Sequence, residues 1–155
     1  MSHTATQTNT GTIKQIIGAV VDVYFENKLP EIFEALEIKK GDSKVVLETQ
    51  QHIGSNIVRA IAMSSTDGLS RGQEVIATGE GISVPVGEKT LGRLLSVLGE
   101  PIDNKGEVKS EKKYPIHRPS PAFISQSTKT EILETGIKVI DLICPIPKGG
   151  KVGMF

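Results

Sequence analysis

The sequence predicts a mainly β chain. About six short antiparallel strands form a sandwich or small barrel, and the opening of an α/β unit follows. Three observations predict this. From Gly11 to about Pro85, short β-branched runs alternate with turn residues. After Pro85 the texture becomes polar and proline-broken. Near the end, a short helical segment leads through Gly149-Gly150 into a fresh apolar run.

The elements follow in order. Ile13–Ile17 is the first run. Ala19–Phe25 (AVVDVYF) is the strongest strand, with Val21, Val23 and Phe25 on one face and Val20, Asp22 and Tyr24 on the other. Gly18 between them fits a sharp bend. Asn27–Pro30 is a turn, and Ala35–Lys39 is a short strand ending at Lys40-Gly41-Asp42. Ser43–Gln51 and Asn56–Met63 are the next two runs, separated by His52-Ile53-Gly54-Ser55. Ser64–Gly72 is a polar connection around the turn signal Asp67-Gly68. Glu74–Thr78 is the sixth run. Short strands with turn signals at this spacing indicate an antiparallel sandwich or barrel, and closure into a barrel removes the sheet edges.

Val86–Asp103 then holds an apolar run, Leu91–Leu98, and a turn at Gly99-Glu100-Pro101. Asn104–Thr130 reads as a long polar loop containing Pro115, Pro119 and Pro121. Thr135 reads as an N-cap for a short, largely buried helix over Gly136–Ile143, stopped by Pro145 and Pro147. Lys151–Phe155 reads as the start of a new strand. Residues 1–10 read as a disordered lead-in, 11–83 as the barrel, and 84–155 as the incomplete start of an α/β domain, which the resemblance given below implies to be nucleotide-binding.

Composition excludes several function classes. The 155 residues carry 18 Lys plus Arg against 18 Asp plus Glu, so no basic surplus exists for nucleic acid or for a polybasic membrane contact. No run approaches the roughly 18 apolar residues of a membrane span. Met1–Thr10 has neither a basic n-region nor an apolar stretch, and no Arg, so neither a signal nor a transit peptide is expected. The single cysteine, Cys144, rules out an internal disulfide and fits a reducing compartment.

Candidate chemistry is sparse. His52 and His117 lack a second ligand at metal spacing and read as surface residues. Cys144 reads as a small core residue rather than a reactive thiol. Asp22 reads as a solvent-facing or hydrogen-bonded strand residue. Lys148 and Lys151 read as strand-edge lysines rather than phosphate contacts. Lys138 and Asp141 read as a surface pair. Arg71 and Arg93 fit either a pair across a subunit interface or a local bond to a turn carbonyl. Glu131, Glu134 and Asp141 carry no catalytic motif. The phosphate-loop motif G-x-x-x-x-G-K-[ST] does not occur in the sequence. No catalytic, cofactor-binding or metal-binding residue is therefore assigned.

Five stretches in order carry a resemblance. They are Gly11–Phe25; Asp67-Gly68-Leu69-Ser70-Arg71-Gly72 (DGL-x-RG); Val84-Pro85-Val86-Gly87 with Leu91-Gly92-Arg93 and Gly99–Asp103 (VPVG…LGR…GEPID); Thr130–Leu142; and Pro145–Phe155, ending KGGKVGMF. Together they resemble the N-terminal part of the β subunit of F-type ATP synthases, up to just before the phosphate-binding loop.

The resemblance implies a six-stranded N-terminal barrel followed by the truncated start of an α/β P-loop domain. It implies alternation with alpha subunits in a hexameric ring around a central-stalk gamma subunit. The complete protein would make ATP from ADP and phosphate, coupled to a proton gradient, using ATP/ADP and Mg. The 155 residues alone would support ring assembly without an ATP site. Without a transit peptide, the expected location is the cytoplasmic face of a bacterial plasma membrane. Membrane contact would come only through the complex, and no nucleic-acid partner is expected. A non-enzymatic barrel module binding protein or oligonucleotide, and a related rotary or secretion ATPase subunit, are the rival readings.

Overall fold

The computed structural model describes residues 9–41, 43–126 and 129–153. The chain divides between Arg118 and Pro119 into two compact units.

The first unit is built on six strands: β1 (Asn9–Ile17), β2 (Val20–Phe25), β3 (Glu34–Lys40), β4 (Ser43–Gly54), β5 (Ile57–Ala62) and β6 (Glu74–Gly81). They close into an antiparallel barrel in the order β1-β2-β5-β4-β3-β6. The alternation in β2 sends Val21, Val23 and Phe25 inward. They meet Ile13, Leu36, Ile38, Val45, Leu47, Val58, Ala60 and Val75 in one core. Closure leaves no unpaired edge, which suits strands this short.

The turns follow residue chemistry. β1 and β2 are joined by Gly18-Ala19, with Gly18 at φ +57°. That is the bend expected of this glycine. β4 and β5 are joined by Ser55-Asn56, at φ +52° and +59°, a two-residue hairpin loop that matches strand twist. The expected break at 52–55 therefore falls later. β4 continues through Gly54 by means of two register shifts, which keep it paired to β5 past Thr49.

Other expectations are corrected too. Residues 1–8 of the expected lead-in lie outside the described residues, but Asn9 and Thr10 belong to β1, paired with Ala77 and Ile76. β6 runs three residues beyond Thr78, and Glu34 anchors the extension. Its carboxylate accepts from the Gly79 amide at 2.9 Å and the Glu31 amide at 2.8 Å. The polar stretch after residue 104 is not structureless. β7 (Ser83–Val86) pairs antiparallel with β8 (Lys112–Pro115). Backbone pairing, which side-chain polarity does not reveal, makes this strand.

A second small cluster forms on the outside of the barrel wall. Ala35, Val46 and Ile82 are buried there, with Met63, Leu98 and Ile116 packed against them. This explains why β4 is buried on both faces from Val45 to Thr49.

The second unit holds a two-stranded sheet, β9 (Ile132–Leu133) with β10 (Ile146–Pro147), and the helix α1 (Lys138–Ile143). The helix is capped by Ile137, not Thr135, and none of its residues is buried. Among the described residues of this unit no layer covers its apolar side chains, so the expected burial is not seen. Lys151–Gly153 are not in a strand, and Met154 and Phe155 lie outside the described residues. Among the described residues no helix is long and apolar enough to cross a membrane.

Candidate functional site

The outer wall of the barrel carries the first arrangement. Ile17 pairs with Val20 across β1–β2, and Val20 pairs with Ile61 across β2–β5. Ile17 is 57% exposed and Ile61 39%, so this rung is an apolar row facing outward. The next rung is polar. Arg59 donates from Nε and Nη2 to the two oxygens of Asp22, at 2.8 and 2.9 Å. The hydrogen bonds to Asp22 raise the Arg59 pKa above its already high value. Asp22 is only 5% exposed, so of the two readings, solvent-facing or hydrogen-bonded strand residue, the structure shows the second. A bidentate fork of this kind satisfies a carboxylate that the strand alone would leave bare.

The second arrangement sits over β4. His117 Nε2 lies 2.9 Å from Glu48 Oε1, and the Gln50 side-chain amide donates to Glu48 Oε2 at 2.5 Å. The imidazole stacks on Phe33 with ring centroids 4.1 Å apart. Phe33 itself has φ +68°, rare for a bulky residue. His117 is exposed, as expected of a surface residue, and it is also the partner of a buried carboxylate. No spacing rule links positions 48 and 117. Only the β4 alternation, placing Glu48 opposite Leu47 in facing, hints that this acid needs a partner.

The family-like motifs map onto two braced turns. In the loop 91–106, Arg93 of LGR donates from Nε to Asp103 of GEPID at 2.6 Å. Its Nη2 reaches the Gly106 carbonyl. Asp103 also accepts from the Leu94 and Lys105 amides. The Arg93 guanidinium, then these amides, hold the Asp103 carboxyl well below the usual carboxylate range. Arg93 therefore makes a local brace. In the DGL-x-RG turn, Gly68 and Gly72 take φ +77° and +80°, and the Gly72 amide donates to the Ile13 carbonyl. Arg71 is exposed.

In the second unit, Asp141 turns back on its own approach. It accepts from the Thr135 hydroxyl at 2.6 Å and from the Thr135 and Gly136 amides at 3.0 Å each. These bonds, the Thr135 hydroxyl first, lower its pKa. Asp141 thus ties down the helix entrance, not a pair with Lys138. Lys148 pairs with Glu131 at 3.1 Å. Glu134 is exposed, as is Lys151. Cys144 is exposed, against the core position expected, because the helix end it occupies is uncovered. His52 bonds the Pro30 carbonyl at 2.7 Å.

Among the described residues, no three His, Cys, Asp or Glu side chains are grouped to hold a metal ion. The arrangements described are two ion-paired braces, a capped carboxylate and an outward apolar row. Residues 13–79, the span from within β1 to within β6, match the family model described as ATP synthase alpha/beta family, beta-barrel domain. The closed six-stranded barrel that those residues form is the fold that this family description names.

Proposed function

We propose that this chain is the N-terminal part of the catalytic beta subunit of a proton-translocating F-type ATP synthase, and that its barrel builds the subunit ring. The observation that carries the reading is the coincidence of the family match at residues 13–79 with a barrel closed by β1, β3 and β6. The choice of the beta subunit is supported by the motif stretches, above all KGGKVGMF at the end. The pairing of the LGR arginine with the GEPID aspartate gives two parts of one of those stretches a shared structural purpose.

In this reading the barrel alternates with alpha-subunit barrels in a hexameric ring. The complete protein makes ATP from ADP and phosphate around a gamma-subunit shaft, at the cytoplasmic face of a bacterial plasma membrane. ATP or ADP and Mg bind in the complete protein. The 155 residues do not fit that site: they contain no phosphate loop, and the Lys148 ammonium is held by Glu131. No catalytic step is assigned to them.

The test is co-expression with the alpha subunit. Co-purification of a mixed oligomer by size-exclusion chromatography is expected, with no Mg-dependent ATP binding to the 155-residue chain by calorimetry. Salt-sensitive binding to a single-stranded oligonucleotide with no co-assembly would instead support a binding module. Micromolar binding of Mg-ATP would overturn the assignment of the nucleotide site elsewhere.

A further inference from the structure

We infer that Phe33, His117 and Glu48 form a latch on a strap, residues 112–118, that opens from the barrel without unfolding it. The inference stands apart from the rotary-subunit reading, because it rests only on contacts within the first unit.

The strap is lightly held. All four residues of β8 are exposed, and among the described residues its strand partner is β7 alone. Beyond β8, the Ile116 amide donates to the Ile82 carbonyl at 2.9 Å. Ile116 packs on the outer cluster of Ala35, Val46 and Ile82. Arg118 lies over the Tyr114 ring, 4.1 Å from its centroid, a contact made within the strap itself. The remaining tie is His117, which bonds Glu48 and stacks on Phe33. The barrel beneath is held very differently, by eleven buried apolar residues and six paired strands. A segment with few buried contacts on a well-packed body opens locally before the body unfolds.

The latch also contains a strained residue. Phe33 is not glycine, yet its φ is +68°, and the residue is 42% exposed. Its amide donates to the Thr49 carbonyl at 2.8 Å, which fixes the backbone in that region. The conformation aims the ring at the imidazole. Strain of this sort persists where the surroundings over-determine it. Glu48, 4% exposed, supplies the other half. With the strap away, its carboxylate keeps the Gln50 amide and gains water. Opening therefore swaps one partner for another and does not strand a buried charge.

Hydrogen exchange of the full 155-residue chain, read at the Ile116 amide and in peptides over 112–118, tests this. In the wild type these amides should exchange faster than those of β2 and β5, by a route insensitive to low denaturant. Phe33→Gly removes the stacked ring and relieves the backbone, so strap exchange should rise by about threefold or more while the barrel's melting temperature holds or rises. His117→Ala should raise strap exchange by about tenfold or more. Should that variant destabilise the barrel through Glu48, the double variant His117→Ala/Glu48→Gln removes the buried charge. Its strap should still exchange fast. Strap amides that exchange at the rate of β2 and β5, or that ignore both Phe33→Gly and His117→Ala, would overturn the latch.

Discussion

The Thr49 hydroxyl is the least comfortable group in the barrel. Thr49 is fully buried, and its Oγ1 is the one buried side-chain polar atom without a hydrogen-bond partner among the described residues. It lies on the inward side of β4 with Val45 and Leu47. An unpaired buried hydroxyl costs roughly 1–3 kcal/mol, and valine has nearly its shape. Thr49→Val is therefore expected to stabilise the fold by about 1 kcal/mol. A urea melt with an unchanged m-value and a higher midpoint would show it. A lower midpoint would mean that the hydroxyl finds a partner in solution. Neither the burial nor the missing partner is legible in the sequence, where Ser43–Gln51 reads as an ordinary strand.

At the scale of elements, the loop 91–106 is held by polar bonds more than by packing. Leu91, Leu94, Val97 and Ile102 are all largely exposed, so little apolar burial supports it. Arg93 and Asp103 are 15% and 10% exposed in their side chains and carry the brace. The Asp103 pKa is depressed in the folded chain, so the folded state binds fewer protons than the unfolded one across the acid window. The stabilisation is fully present above the unfolded carboxylate value of about 3.9 and is lost as pH falls toward the folded value. Asp103→Asn should thus lower stability at neutral pH and flatten the acid decline of the melting temperature between about pH 4 and 2. Parallel wild-type and variant curves would show that the brace carries no linkage. The motif pair LGR and GEPID made both residues visible in sequence. Their bonding to one another was not, since Arg93 fitted an intersubunit role equally well.

The helix α1 shows the opposite failure. Its short length and proline stops were legible at Pro145 and Pro147. The Thr135 hydroxyl donates to Asp141 and accepts from the Ile137 amide, but the helix starts only at Lys138, with Ile137 as its N-cap, so Thr135 lies too early to be the cap. Its apolar residues suggested burial, but burial depends on a covering layer that local sequence cannot supply.

For the whole molecule, the barrel's outer row is where the proposed assembly is most exposed to test. Ile61→Glu places a charge on the row shared with Ile17 and Val20. The position is 39% exposed, so the isolated barrel should lose no more than about 0.5 kcal/mol. Co-assembly with the alpha subunit should fall sharply, because a charge in an apolar contact is left without a partner. Size-exclusion chromatography of the co-expressed chains reads the outcome. Unchanged oligomer with Ile61→Glu would place the contact on another face of the barrel.

By itself, the sequence determined the six strands, their inward faces and most of their turns. Period-two alternation around Val21, Val23 and Phe25 and glycine at the Gly18 bend are local properties, and local physics suffices to read them. The tertiary structure decided which strands are neighbours and how the barrel closes. It also decided that Asp22 meets Arg59, Glu48 meets His117 and β8 exists at all. These pairings join residues 37 and 69 positions apart. Such contacts are set by the free energy of burying polar groups together, which no single stretch of chain contains.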